Sequence, residues 1–205
     1  MALDNQMLEA CEIVKVVANS GHQQIPFPEF NDNLNSKNMD SAYVEILSWP
    51  GYIPTPLITL NKIAEHCGVA SVFYKDESQR LDMRSFKALG GAYAVANLVA
   101  KQVAIGVNPS SITVTTATDG NHGRSVAWGA QQAGCRAEIY IHEHVSEQRA
   151  EAMATFGAKV NRIEGNYEVS LAACKADAEA NDWHIVSDTS WPGYRDIPCD
   201  IMAGY

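Results

Sequence analysis

From about residue 85 onward, short β-branched or apolar runs alternate with longer amphipathic segments. Such short runs are typical of buried strands, and the longer segments are typical of helices. Strands are predicted over residues 112–116, 137–141, 159–163 and 183–187. Helices are predicted over residues 86–102 behind Ser85, from the turn after residue 117 to Gly134, from Ser146 to Gly157, and from Asn166 to residue 181. Strands that alternate with helices indicate right-handed crossovers, a parallel sheet and an α/β fold.

Residues 1–70 carry a weaker pattern. Residues 20–28 and 31–38 are rich in Pro, Gly and Asn and are expected to be loops. After a second Pro- and Gly-rich segment at residues 49–56, residues 57–67 are expected to form a short amphipathic helix. Residues 70–75 are expected to form a strand.

Composition narrows the classes of function. The chain has 205 residues with 15 Lys and Arg against 24 Asp and Glu, a net charge of −9, and it has no basic stripe. Because phosphate backbones attract positively charged proteins, nucleic acid is not an expected partner. The first residues resemble no secretory signal, and the most apolar helical segment, residues 88–100, is too short to span a membrane.

The cysteines do not form a metal or disulfide pattern. There are five, and they are widely spaced without any CxxC pair: Cys11, Cys67, Cys135, Cys174 and Cys199. An odd, scattered set argues against a disulfide framework and a zinc ribbon. We therefore expect reduced thiols, a cytoplasmic location and no metal site.

Ligands of open parallel sheets bind beyond the carboxyl ends of the strands. A polar turn with the sequence Thr-Ala-Thr-Asp-Gly-Asn-His-Gly, residues 116–123, follows the first strand of the regular region. Its glycines allow a ligand to approach the backbone, and the helix start behind it attracts anions. The turn matches no dinucleotide or P-loop motif. A capped turn without a ligand explains the same residues.

Two further residues stand out. Lys87 lies near the start of a predicted helix, where a cation opposes the helix dipole, and the residues after it are Ala-Leu-Gly-Gly-Ala. Paired glycines in a helix are costly unless another element packs closely there. A lysine desolvated in such surroundings can form a Schiff base with an aldehyde, although an ordinary exposed lysine is the default interpretation of the composition alone. Asp188 follows the last predicted strand, where it can also serve as a simple helix cap.

Three motifs in succession, together with the final five residues, carry a resemblance to a known family. The segment Ser85-Phe-Lys-Ala-Leu-Gly-Gly resembles the Schiff-base segment of the tryptophan-synthase-β-like (fold type II) pyridoxal-phosphate enzymes. The segment Asp119-Gly-Asn-His-Gly resembles their Ser-Gly-Asn-His loop, with Asp119 in place of the usual Ser. With Asp188-Thr-Ser-Trp-Pro-Gly-Tyr and the final Ile201-Met-Ala-Gly-Tyr, this variant is similar to the branch that eliminates ammonia from 2,3-diaminopropionate.

The resemblance implies a cofactor, a reaction and roles for individual residues. Lys87 would bind pyridoxal 5'-phosphate and then remove the Cα proton of a small amino-acid substrate, and Asn121 would bond the cofactor's phenolic oxygen. Thr118, Asp119 and Gly120 would hold the substrate carboxylate. Asp119 would also act as a second base, so that both D- and L-diaminopropionate would yield pyruvate and ammonia. Asp188 would orient the substrate, for example through an amino group.

The resemblance also implies a domain organisation. Residues 1–84 would belong to the large domain, residues 85–190 would form the small α/β domain, and residues 191–205 would begin the return to the large domain. In the family, the loop that holds the cofactor phosphate lies further along, so we expect an N-terminal portion of a homodimeric enzyme with an exposed apolar face. Arg84 departs from the family pattern.

Two alternatives stay open. A serine or threonine dehydratase on the same scaffold usually has Ser at the position of Asp119, so Asp119 argues against it. An inactive fragment is the expectation for the 205-residue chain by itself, because the loop that holds the cofactor phosphate lies further along in the family.

Overall fold

The computed structural model describes Gly21 and residues 34–205, which divide into two compact units. One unit contains residues 54–77, and the other contains residues 34–53 and 78–205. The domain boundaries expected after residues 84 and 190 stay a prediction. Apart from Gly21, the loop expected over residues 20–28 lies outside the described residues, as does Cys11.

The larger unit begins with a helix that the sequence pattern did not predict, α1, Ser36–Leu47. The side chain of Asn35 caps it by accepting the Asn38 N–H at 3.0 Å. The loop expected over residues 31–38 is therefore wrong from residue 36 onward. Only Ala42 and Ile46 of this helix are buried.

In its described part, the smaller unit is a two-stranded antiparallel sheet with one helix. Strand β1, Leu57–Thr59, pairs with β2, Phe73–Lys75, and α2, Asn61–Cys67, lies between them in the chain. The helix ends at Gly68, whose φ of 64° is favourable for glycine. A helix over all of residues 57–67 is thus wrong, because Leu57, Ile58 and Thr59 pair as a strand.

Four parallel strands form the sheet of the larger unit. They are β3 (Thr113–Ala117), β4 (Arg136–His142), β5 (Lys159–Ile163) and β6 (His184–Ile185), in the order β5-β4-β3-β6. Every residue of β3 is buried, as the β-branched run indicated. The last strand is shorter than predicted, although the Val186 N–H still bonds the Thr115 carbonyl at 2.8 Å. The parallel α/β prediction is confirmed.

The remaining helices of this unit connect the strands or follow them. They are α3 (Lys87–Ala104), α4 (Asn121–Ala133), α5 (Glu147–Ala154), α6 (Tyr167–Asn181) and α7 (Asp196–Gly204). Short 3-10 helices occupy Glu77–Asp82 and Pro109–Ser111. Helix α4 ends before Gly134 as predicted, whereas α5 ends three residues before Gly157. Among the described helices, none has the length and apolarity needed to cross a bilayer.

Small residues let α3 and α4 pack closely. A Cβ atom on Gly129 would lie 2.8 Å from the Ala92 Cα atom, and one on Gly91 would lie 2.5 Å from the Ser125 hydroxyl oxygen. That hydroxyl donates to the Ala88 carbonyl at 3.1 Å. The close packing expected around the paired glycines is therefore confirmed. It brings the first residue of α3, Lys87, near the turn between β3 and α4.

Candidate active site

A cavity of about 350 Å³ lies where β3 and β6 end and α3 and α4 begin. Its lining is mostly polar and includes one lysine, one arginine, two aspartates and a buried histidine. The lining residues are Lys87, Ala117, Thr118, Asp119, Gly120, Asn121, His122, Arg149, Tyr167 and Asp188. All six residues that the sequence analysis selected for the site are among them.

Lys87 and Asp188 form an ion pair between the Lys87 Nζ atom and the Asp188 Oδ2 atom. The side chains are 34% and 22% exposed, so both are partly shielded from water. Burial alone would raise the pKa of Asp188, but positive charge on His122, when its ring is protonated, and on Lys87 more than offsets it and holds this pKa below its ordinary value. Asp188 is therefore ionised at neutral pH and bonded to the lysine rather than to a helix start.

His122 lies beneath this ion pair and is 4% exposed. Its Nε2 atom lies 2.8 Å from the Val186 carbonyl oxygen, and its Nδ1 atom lies 3.9 Å from Asp188 Oδ2. Burial lowers the pKa of His122, against the opposing influence of Asp188 and of the Val186 carbonyl. The ring is thus neutral at pH 7, and the cation that holds Asp188 ionised is Lys87.

Asp119 occupies the other side of the cavity and is much more exposed, at 66% of its side chain. The His142 Nε2 atom lies 3.0 Å from its Oδ1 atom, and the Arg149 guanidinium donates to its backbone carbonyl at 3.1 Å. The His144 N–H donates to His142 Nδ1 at 3.2 Å. Because Nδ1 accepts, the His142 proton lies on Nε2 and is donated to Asp119.

The turn that carries Asp119 is held by Thr118. The buried Thr118 hydroxyl oxygen accepts the N–H groups of Gly120 and Gly123, each at 3.1 Å. Gly120 has a φ of 158°, and the Arg149 side chain passes within 3.3 Å of where its Cβ would lie. Asn121 is exposed and begins α4. Thr118 therefore orders the turn, while the amides at the helix start have no intrahelical acceptor.

The sequence analysis assigned no role to three polar residues that line the cavity, which are His122, Arg149 and Tyr167. His122 was part of a quoted motif but received no role. Tyr167 is the first residue of α6, and burial followed by the nearby charges of Asp188 and Asp119 raises its pKa. Arg149 comes from α5. Tyr167 could have been found, since it follows a strand end, whereas the sequence carries no signal that would place Arg149 beside Asp119.

The Asp188 segment is anchored by an aromatic residue of its own motif. The Tyr194 hydroxyl accepts the Ser187 N–H at 2.8 Å and donates to the Ile185 carbonyl at 2.9 Å. The Tyr194 ring stacks on Trp191 with a centroid distance of 4.0 Å. The two hydrogen bonds hold the backbone that leads into Asp188, and the stacking holds the Trp191 ring that follows it.

A second, apolar cavity of about 1040 Å³ meets the first at Lys87 and Asp188. It is lined mainly by residues of α7 and by residues 190–193. Phe86, Met202 and Tyr205 around it are 48%, 58% and 42% exposed, so apolar surface borders the site on this side.

None of the described cysteines lines the 350 Å³ cavity, whereas Cys199 lines the apolar one. In the part of the chain that the structure describes, Cys67, Cys135, Cys174 and Cys199 have free thiols. Burial raises the pKa of Cys135 and of Cys174 to about 11 in each case. Neither is a reactive thiolate at neutral pH.

Comparison with known proteins identifies the family. The family described as "Pyridoxal-phosphate dependent enzyme" matches residues 48–204. The chain belongs to this family of pyridoxal-phosphate-dependent enzymes, and the resemblance found in the sequence is confirmed.

Individual relatives narrow the comparison. The diaminopropionate ammonia-lyase of Escherichia coli K12 is 39% identical over 166 residues, which are 76% of this chain and 42% of that enzyme. The E. coli enzyme solved with an aminoacrylate-PLP azomethine reaction intermediate matches with a TM-score of 0.81 and 36% identity, over 92% of this chain and 49% of that one. A biosynthetic threonine dehydratase of Arabidopsis thaliana is 31% identical over 74% of this chain and 23% of its own. The chain thus spans less than half of these relatives.

The residues present fit pyridoxal phosphate. The cofactor needs a primary amine to react with its aldehyde, and the Lys87 amine lines the cavity. It also needs groups for its polar ring substituents, and the Asn121 side chain and the start of α4 line the same cavity. The one buried polar atom there without a partner among the described residues, His122 Nδ1, leaves an acceptor for a further group.

Proposed function

We propose that this chain supplies the lysine and the two carboxylates of a pyridoxal-phosphate-dependent lyase that converts 2,3-diaminopropionate to pyruvate and ammonia. The observation that carries the proposal is the arrangement of Lys87, Asp119 and Asp188 around one cavity. Asp188 suits a substrate that carries a second ammonium group, because it can pair with that cation, and Asp119 remains available as a base. The 39% identity to the E. coli diaminopropionate ammonia-lyase supports the same substrate.

Lys87 would hold the cofactor and serve as a base. Its amine would attach to the cofactor's aldehyde carbon, and the Asn121 amide would bond the phenolic oxygen. The cofactor, when bound, would withdraw electrons from the substrate Cα and so acidify the Cα–H bond. Once the substrate has displaced Lys87, its free amine would take the Cα proton on one face.

The substrate would be oriented by groups on both sides of the cavity. The Asp119 and Asn121 amides at the start of α4 would bind the carboxylate, since helix starts favour anions, whereas the Thr118 and Gly120 amides are already bonded to the Tyr140 carbonyl and the Thr118 hydroxyl. Asp119 would remove the Cα proton of the D enantiomer, and Asp188 would pair with an amino group. Elimination of one ammonia and hydrolysis of the resulting enamine with one water give pyruvate and a second ammonia.

The assembly and location of the protein belong to the same proposal. The resemblance supports a homodimer that takes a small amino acid as its substrate. The free thiols of the described cysteines are compatible with the cytoplasm. Size-exclusion chromatography with light scattering would test the dimer.

A coupled assay tests the reaction. Because the chain spans 42% of its E. coli relative, we would assay the 205-residue chain and a chimera that continues after Tyr205 with the E. coli enzyme sequence. Lactate dehydrogenase would report pyruvate from D- and L-diaminopropionate. Release of pyruvate by the chimera, lost on Lys87→Ala, is the expected result.

A second candidate is a hydroxyamino-acid dehydratase, which the 31% identity to the Arabidopsis threonine dehydratase favours. Asp119 argues against it, since dehydratases on this scaffold usually have Ser at this position. Turnover of serine or threonine without turnover of diaminopropionate would replace the proposed function with this one.

A further inference from the structure

The contact between His122 and the Val186 carbonyl determines which ring nitrogen of His122 carries the proton. Only an N–H group can bond to the Val186 carbonyl at 2.8 Å, so the ring proton lies on Nε2. Nδ1 then presents a lone pair. It has no hydrogen-bond partner in the described part of the chain, and the residue is only 4% exposed. A buried acceptor left without a partner is unfavourable and needs an explanation.

The nearest polar group beyond this lone pair is also an acceptor. Asp188 Oδ2 lies 3.9 Å from Nδ1, and both residues line the cavity. A lone pair and a carboxylate at this distance repel each other, and a cation placed beside both removes the repulsion. The Lys87 ammonium now pairs with Asp188. Once the lysine amine is attached to the cofactor, that ammonium no longer exists.

We propose that His122 Nδ1 and Asp188 together form the subsite for the leaving β-ammonium group of the substrate. This inference rests on the proposed function and deepens it, because it names the group that recognises the second amine. An ammonium has three N–H donors and no acceptor, so it suits a pair made of one carboxylate and one neutral lone pair.

The chemistry of elimination explains why such a subsite is useful. When the bond between Cβ and nitrogen breaks, its electron pair stays on nitrogen and the ammonium departs as neutral ammonia. The electron pair of the Cα–H bond forms the Cα–Cβ double bond, and the proton remains on the base. A hydroxyl group would need an added proton to depart as water, and neither acceptor carries one to donate. The subsite therefore favours diaminopropionate over serine.

The test compares two ligands that differ only in the β-ammonium group. In the chimera carrying Lys87→Ala, proton removal by the lysine is prevented, and L-diaminopropionate and L-alanine can be compared by calorimetry. Adding His122→Phe should weaken L-diaminopropionate binding about tenfold or more, as expected for a lost hydrogen bond to a charged group. L-Alanine binding should stay unchanged. Equal changes for both ligands, or none, would overturn the subsite.

A measurement without substitution at His122 covers the case in which that variant does not fold. With ¹⁵N-labelled histidine, the Nδ1 resonance of His122 should shift when L-diaminopropionate is added and stay in place when L-alanine is added. Identical responses to the two ligands would overturn the proposal. His144→Phe, which changes an exposed ring, is the matched control for calorimetry.

The two proposals fail in different ways. If the chimera releases no pyruvate from diaminopropionate, the proposed function is wrong. If it releases pyruvate, and His122→Phe leaves the ratio of the affinities for L-diaminopropionate and L-alanine unchanged, only the subsite is wrong.

Discussion

The two sides of the cavity surround their carboxylates very differently. Asp188 is 22% exposed, is paired with Lys87 and lies above a buried histidine, whereas Asp119 is 66% exposed and bonded to His142. A partly buried charge is held in one place and is screened little by salt, while an exposed charge gains little from its partner and can move. The Asp188 side is therefore suited to binding and orientation. The Asp119 side is suited to a proton transfer that needs a mobile group.

The largest expected difference between the sides concerns enantiomers. In the chimera, Asp119→Asn should lower D-diaminopropionate turnover by about 10²–10⁴-fold, the usual effect of removing a base, and leave the L enantiomer nearly unchanged. Steady-state kinetics on both enantiomers would measure it. Asp182→Asn removes an equal charge from an exposed helix end and is the control. Equal losses for both enantiomers would give Asp119 a general binding role.

A substitution at Asp188 should lower the turnover of both enantiomers to the same extent. Asp188→Asn removes the anion that pairs with Lys87 and, in our proposal, with the substrate ammonium. Loss of a charged hydrogen bond corresponds to about a 10–100-fold decrease in kcat/KM, for D and L alike. A loss confined to one enantiomer would contradict the division between the two sides.

His142 should affect only the Asp119 side, and modestly. His142→Ala removes the Nε2–H donor at 3.0 Å from the carboxylate. Because this contact is exposed, a hydrogen bond of about 1 kcal/mol is at stake, which corresponds to about a fivefold loss for D-diaminopropionate. His184→Ala, a histidine in β6, is a suitable control. An equal loss for L-diaminopropionate would count against this role for His142.

Tyr167 lies on α6 and Arg149 lies on α5. The residues that precede these two helices should differ in how much they contribute to the free energy of unfolding. The Asn166 side chain accepts the Val169 N–H at 3.1 Å, whereas Ser146 makes no such bond at the start of α5. Asn166→Ala should lower the free energy of unfolding by about 1 kcal/mol, and Ser146→Ala by much less. Urea denaturation of the two variants would measure the difference. A larger loss for Ser146→Ala would refute the cap assignment.

Local chemistry made much of the fold predictable. The β-branched run of β3 and the glycine after α4 specify their elements without help from tertiary contacts. Helix α1 was missed because its start lies in the Asn-rich segment assigned to a loop, although Met39, Ala42 and Ile46 recur at helical spacing.

The site was predictable only in part. Lys87, Asp119 and Asp188 lie in recognisable segments, so sequence alone selected them. The contacts of Asp119 with His142 and Arg149 depend on the order of the strands, since β4 lies beside β3 and leads into α5. Strand order is not encoded in any local pattern. The lone pair of His122 likewise emerges only when Val186 is seen to occupy the other ring nitrogen.

The most direct test of the account is to identify the lysine that binds the cofactor. The chimera would be incubated with pyridoxal phosphate, reduced with borohydride, digested and analysed by mass spectrometry. The account predicts a pyridoxyl label on Lys87, and loss of both the label and the yellow colour on Lys87→Ala. A label on Lys75 or Lys101 instead, with Lys87 unmodified, would contradict it.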